Sequence, residues 1–234
     1  MAPRTGLRAR VRAELTSEIK EEARRQLAES GAASLSLRSV TRSLGMAPSA
    51  IYRYFPSRDD LLTALLVDAY ASLGARAEED DARVAPTDVG GRWLAVGRGI
   101  RAWALARPHE YALLYGSPVP GYRAPDSTVG PASRVTFVLA AIVRDAHDAG
   151  VLALPTDGAA LGDAEADAAR LAELAMAGVP TVTVARALEA WTQLFGFVSF
   201  ELFGHFVGVL EDTDSFFERA LLDMGAHVGL PSAA

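Results

Sequence analysis

No cysteine occurs among the 234 residues, which excludes disulfide scaffolds, thiolate-bound metals, iron–sulfur clusters and cysteine nucleophiles together. Asparagine is missing too, so no N-glycosylation sequon exists. Lysine is nearly missing: Lys20 is the single one among 23 basic residues, a bias that reads as GC-rich coding. No apolar run is long enough to cross a membrane, since the longest candidate is broken by Glu201 and His205. The basic opening MAPRTGLRARVR is followed by no apolar core, so the sequence predicts no signal peptide and a cytoplasmic address. What remains is ordinary globular material, 50% hydrophobic and 22% charged, of a length that suits one large domain or two small ones.

The net charge of −6 hides an asymmetry. Residues 1–60 carry 11 basic and 7 acidic groups, whereas residues 61–234 carry 12 basic and 22 acidic ones. A basic head on an acidic body predicts that the head alone meets a polyanion.

Apolar periodicity is helical throughout, without strand-type alternation. Val11, Leu15, Ile19, Ala23 and Leu27 form one stripe that ends near Ser30-Gly31. Ser36 is placed to cap a short helix over Leu37–Leu44, and Gly45 to stop it. Pro48 opens another short helix that must end at Phe55, because Pro56 restricts the residue before it. Ser57-Arg58-Asp59-Asp60 starts a long amphipathic helix in the manner of a capping box. A polar connection follows over 78–91, then helices over Arg92–Ala106 and Glu110–Tyr115. The Pro- and Gly-rich stretch 116–133 reads as a long loop. Further helices are expected over Arg134–Ala149, Ala164–Ala177, Thr181–Val209 and Asp214–His227, the last capped by Asp214 and stopped by Gly229. The fold class is therefore all-α, with about 9–10 helices.

Residues 36–55, SLRSVTRSLGMAPSAIYRYF, have the spacing of a helix-turn-helix. Gly45 supplies the positive φ of the turn, and Val40, Leu44, Met46, Ile51 and Tyr54 stand where the two short helices must hold each other. Residues 11–30 provide the supporting helix. In this arrangement the second helix offers its first residues to a major groove while flanking groups fix phosphates.

Gly45-Met46-Ala47 followed by IYRYFPSRDDLL (51–62) resembles the signature of the tetracycline-repressor (TetR) family of bacterial transcription regulators. Thr41 departs from the usual alanine, and Ala47 from the usual capping serine, with Pro48 compensating. The resemblance implies base contacts from Arg38, Ser49, Ala50 and Tyr52, and phosphate contacts from Ser36, Arg53, Tyr54 and Arg58. An arginine at position 38 could pair with guanine O6 and N7. Arg4, Arg8, Arg10 and Arg12 could add contacts from a basic arm. The expected domains are the arm at 1–12, the helix-turn-helix at 13–57, and a larger helical effector-binding and dimerisation domain at 58–234.

WTQLFGFVSFELFGH (191–205) resembles a subgroup named for a Trp, a His and a Gly in this helix; Trp191 and Gly196 match, and Phe195 stands where the histidine is expected. The family resemblance implies a homodimer joined by this helix and the last one. Leu194, Phe197, Val198, Glu201, Phe216 and Leu221 are the interface candidates. Trp103, His109, Tyr111, Tyr115, Phe137, Trp191 and Phe195 are candidates for a pocket that takes a small, largely apolar ligand, or else ordinary core aromatics. The implied partners are a palindromic double-stranded operator, a second copy and that ligand; no membrane, cofactor, metal or catalytic residue is expected.

Two alternatives stand beside a ligand-released repressor: a regulator without a small-molecule effector, and a helical binder or enzyme with a vestigial head. Gly97-Arg98-Gly99-Ile100-Arg101-Ala102 matches a loose dinucleotide string, but it lies within a helical pattern with no strand before it. The four histidines are scattered, and Ser117 sits in no nucleophile elbow.

Overall fold

The computed structural model describes residues 5–154 and 161–233. Among them are nine α-helices and no strand: α1 Thr5–Ser30, α2 Leu37–Ser43, α3 Arg58–Ala82, α4 Val89–Ala106, α5 Pro108–Tyr115, α6 Val129–Asp148, α7 Glu165–Ala175, α8 Thr181–Leu202 and α9 Thr213–Val228. They form two compact units, Met1–Tyr70 with Arg107–Gly130, and Ala71–Ala106 with Pro131–Ala234. The division differs from the expected boundaries in two ways. Helix α3 contributes to both units, and α5 with the segment after it belongs to the first. Residues 5–12, expected as an arm, are the opening turns of α1, and Arg4 lies outside the described residues.

In the first unit the stripe of α1 becomes buried from Ile19 onward, with Ala23 and Leu27, while Val11 stays exposed. These residues pack with Leu37, Val40, Ile51, Phe55, Leu61 and Leu65 around one core. Leu44, Met46 and Tyr54 close its edge, as the spacing predicts. Gly45, at φ +62°, ends α2. The Met46 amide bonds Thr41 O at 2.9 Å and the Gly45 amide bonds Arg42 O at 3.3 Å. That is a Schellman stop, and it turns the chain into the recognition segment. Ser57 accepts from the Asp60 amide at 3.1 Å and donates to its carboxylate at 2.6 Å, so the predicted cap of α3 forms.

Two expected features differ. Ser36 occupies the N-cap position of α2 with extended backbone, yet its side chain makes no cap hydrogen bond. The second helix of the motif is a single 3₁₀ turn, Ile51–Arg53, flanked by turns rather than a continuous helix from Pro48. Here i→i+3 bonds from Arg53 to Ala50 and from Tyr54 to Ile51 replace a continuous i→i+4 ladder.

In the second unit α4 is central and unusually rich in glycine. A Cβ on Gly97 would lie 2.5 Å from Leu221, and one on Gly99 would meet the Asp80 carboxylate. The GxGxxA string is therefore a seam for close helix packing, with no phosphate loop. Trp93 donates its indole N–H to Leu221 O at 3.0 Å, tying α4 to α9. Arg92, 6% exposed, bridges Asp81 at 2.7 Å and Asp145 at 2.8 Å. Helix α3 runs on to Ala82, shortening the expected polar connection. Helix α8 stops at Leu202 instead of continuing to Val209, because Gly204 and Gly208 turn the chain with φ of +78° and +74°. Helix α9 is capped by Asp212, whose carboxylate accepts from the Ser215 amide at 2.9 Å, rather than by Asp214.

Thr183 in the first turn of α8 is fully buried, and its hydroxyl has no hydrogen-bond partner among the described residues. A buried donor left unmade costs more than its apolar isostere. Thr183→Val is therefore expected to raise stability by about 1 kcal/mol, read as a shift in the denaturant midpoint at unchanged slope. A lowered midpoint would mean that the hydroxyl is satisfied in solution.

Candidate nucleic-acid interface and effector cavity

The recognition segment separates its side chains cleanly. Ile51 and Phe55 are buried, while Ser49, Tyr52 and Arg53 are exposed, Tyr52 by 53%, and Ala50 is half-buried. Alternation of this kind follows from the tight turn between Pro48 and Pro56, which anchors on Ile51. Arg38 on α2 lines a shallow depression with Arg42, Thr41, Met46 and Pro48. Arg42, one helical turn beyond Arg38, is a cation that sequence reasoning missed; its i+4 spacing from Arg38 was the available signal. Among the described residues no carboxylate pairs with Arg38, Arg42 or Arg53.

Several other cations of this unit are already engaged. Lys20 and Arg24 grip Asp68 at 2.9 and 2.7 Å. Arg25 forks onto Glu22 at 2.6 and 2.9 Å, and this hydrogen bonding holds the Glu22 carboxyl down at about 2. Arg12 donates to Arg53 O at 2.9 Å and lies over the Tyr54 ring at 5.5 Å. Tyr54 is thus half-buried between the core and Arg12. Arg58, expected on a phosphate, turns inward instead. Its guanidinium donates to Leu35 O and Ala32 O, both at 2.9 Å, and to Ala33 O at 3.2 Å. A guanidinium serving three carbonyls is a structural clamp on the turn before α2. The exposed, uncompensated positive charge of the motif accordingly falls on Arg38, Arg42 and Arg53.

In the second unit an apolar cavity of about 230 Å³ opens between α6, α7 and α8, with Trp93 of α4 also lining it. Phe137 and Trp191 of the expected pocket residues line it. The others do not. Trp103 is buried and donates to Ser72 Oγ at 2.9 Å. Phe195 is buried against Trp191, with ring centroids 5.3 Å apart. His109, Tyr111 and Tyr115 belong to the first unit. Tyr111 is fully buried and packs on Tyr115 at 5.0 Å. Burial pushes the Tyr115 phenol well above its ordinary range, so this pair is core rather than an ionisable site. Leu171, Met176 and Val184 complete the cavity wall; the aromatic-centred sequence reading passed over such aliphatic residues.

The expected dimer residues also redistribute. Leu194, Val198 and Leu221 are fully buried within the unit, and Phe197 nearly so, which removes them from any outer face. Glu201 is held by Arg101 at 2.7 and 2.6 Å. Phe216 alone of the six is exposed. The apolar side chains that α8, α9 and the chain between them leave exposed include Phe200, Phe203, Phe216 and Leu222. No described helix is long and apolar enough to cross a membrane, and no described cluster of side chains could hold a metal.

Residues 19–65 match the family described as bacterial regulatory proteins, tetR family, and residues 93–224 match the tetracyclin repressor-like C-terminal domain. The description of the C-terminal match does not name the Trp-His-Gly subgroup. The chain is 40% identical over 209 residues to the HTH-type transcriptional regulator Rv1816 of Mycobacterium tuberculosis and to Mb1846 of Mycobacterium bovis, covering 87% of each chain. The crystal structure of the protein SCO4313 superposes with a TM-score of 0.74 at 37% identity, covering 95% of this chain and 98% of that one. RolR, solved with resorcinol bound, shares the fold at a TM-score of 0.52 and 14% identity, over 97% of this chain and all of that one. With a helix-turn-helix whose recognition turn is exposed and cationic, and with relatives of this extent, the chain belongs to the tetR family of bacterial regulatory proteins and is a DNA-binding transcriptional regulator.

Proposed function

We propose that two copies of this chain form a homodimeric repressor that binds a palindromic operator and lets go when a small, largely apolar molecule fills the cavity of the second unit. The observation that carries the DNA-reading part is the exposure of Tyr52, Arg53, Arg38 and Arg42 around one turn with no carboxylate to neutralise them. Arg38, Ser49, Ala50 and Tyr52 face the bases, with Arg42 beside them. Ser36, Arg53 and Tyr54 hold the backbone. The dimer is supported by the apolar side chains left uncovered on α8, α9 and the turn between them, since such a patch demands a partner. A palindromic operator is the nucleic-acid counterpart of a two-fold protein.

Release requires that the ligand prefer a conformer whose two heads are badly spaced; equal affinity for both conformers shifts nothing. That requirement separates this reading from a regulator with no small-molecule effector. The test is fluorescence anisotropy on DNA flanking the gene, at two salt concentrations with non-specific competitor. Arg53→Ala is expected to weaken all sequences alike and to reduce the salt slope by about one. Arg38→Ala is expected to lose roughly 5- to 100-fold of discrimination at one base pair per half-site. Unchanged operator binding by both variants would refute these roles, and a stable monomer in sedimentation would refute the dimer.

A further inference from the structure

The cavity between α6, α7 and α8 carries more chemistry than its volume. Its deep part is built from Val143, Val184, Leu139 and Met176, all buried. None of these offers a hydrogen bond, and the Trp93 indole N–H is already spent on Leu221 O. No charged side chain lines the space. Its polar groups, the hydroxyls of Ser133 and Thr136, stand one turn apart on α6, and Thr136 lies at the exposed edge. Around the same edge sit Phe137, Leu174 and Leu188, which are 47%, 70% and 47% exposed. An apolar floor beneath a rim that bears the Thr136 hydroxyl is an amphipathic container with a defined direction.

From this arrangement, and resting on the ligand-release reading above, we infer that the effector is an uncharged, flat aromatic molecule of about two fused rings that enters apolar end first and presents one hydroxyl or carbonyl to Thr136. Size follows from volume. An apolar cavity of about 150 Å³ accommodates benzene, and this one of about 230 Å³ has room for a second ring. Flatness follows from the walls, where Trp93, Trp191 and Phe137 supply ring faces and edges. Neutrality follows from desolvation: a carboxylate or ammonium carried inside would lose its hydration and meet no counter-charge. The Thr136 hydroxyl at the mouth selects for a polar tip because a ligand group there bonds it or still reaches water, whereas one at the floor does neither.

The experiment uses the full-length protein at pH 7 and three probes of one shape: naphthalene, 2-naphthol and 2-naphthoate. Binding is read by calorimetry and by the emission of the tryptophans that line the site. 2-Naphthol is expected to bind at micromolar concentration, and 2-naphthoate several-fold more weakly, because its carboxylate finds no counter-charge in the lining and keeps its hydration only by holding the rings short of the apolar floor. Thr136→Val, a rim substitution that leaves packing intact, is expected to weaken 2-naphthol several-fold and leave naphthalene unchanged. Ala187→Phe fills the space and is expected to abolish both, with circular dichroism and a cooperative thermal melt confirming the fold. The inference is overturned if 2-naphthoate binds as well as 2-naphthol, if no probe binds, or if a folded Ala187→Phe protein binds undiminished. Binding of 2-naphthol without any change in operator affinity would leave the chemical class standing and remove the release reading.

Discussion

Gly229→Ala is expected to destabilise the second unit by about 3–4 kcal/mol, lowering its melting temperature by roughly 10 °C. Two costs combine at this position. Gly229 closes α9 at φ +99°, the left-handed region that a side chain makes costly by about 1–2 kcal/mol. The stop is a Schellman motif: the Leu230 amide bonds Gly225 O at 2.9 Å, and the Gly229 amide bonds Ala226 O at 3.0 Å. The second cost is space. A Cβ on Gly229 would lie 2.1 Å from the carbonyl oxygen of Ala153, and that segment is fixed by a 2.8 Å bond from the Ala153 amide to Gly229 O. The obstruction is backbone, so no side-chain rotation relieves it. Gly45 is the internal control. It makes the same kind of stop, at φ +62°, but a Cβ there meets nothing within 4 Å. Gly45→Ala is thus expected to cost only about 1–2 kcal/mol, the conformational part alone. Equal losses in the two variants, measured by calorimetry, would refute the steric account.

The contrast shows what a sequence carries and what it does not. Both glycines were legible as helix stops, because a glycine after an apolar helical run has few other uses. That Gly229 also meets Ala153, 76 positions earlier in the chain, is a tertiary fact with no local trace. The same division runs through the site. Ile51 and Tyr52 were correctly separated into core and surface, since their neighbours Gly45, Pro48 and Pro56 fix the local path. Leu194, Val198 and Leu221 were not. An apolar helix face looks identical in sequence whether its own α4 covers it or a second copy does. The aromatic candidates scattered for a related reason. Trp103 and Tyr111 satisfy the composition of a ligand pocket and of a filled core equally well, and only the empty volume beside Trp191 and Phe137 distinguishes them.

Arg58 is the residue at which the resemblance and the geometry part company, and its replacement decides between them. As a phosphate contact, Arg58 would be worth one counterion: Arg58→Ala would lower operator affinity, reduce the salt slope by about one and leave stability alone. As a clamp it does something else. Its guanidinium holds Ala32 O, Ala33 O and Leu35 O, so it fixes the turn from which α2 starts and thereby the direction of Arg38. Removing it strands three carbonyls at the beginning of the motif. Hydrogen bonds to a charged donor contribute about 1.5–3 kcal/mol each when buried. The side chain is 29% exposed, and screening by water reduces the expected total to about 2–3 kcal/mol. The expected outcome is a first unit that unfolds at lower denaturant, with faster amide exchange over residues 31–44 and loss of operator binding. Arg58→Lys sharpens the choice. Lysine keeps the charge that a phosphate needs, but an ammonium lacks the planar fork that reaches separate carbonyls. Near-normal affinity and exchange in Arg58→Lys would refute the clamp. Loss of protection there, with the positive charge still in place, would show that this arginine serves DNA only through the shape it imposes on its own chain.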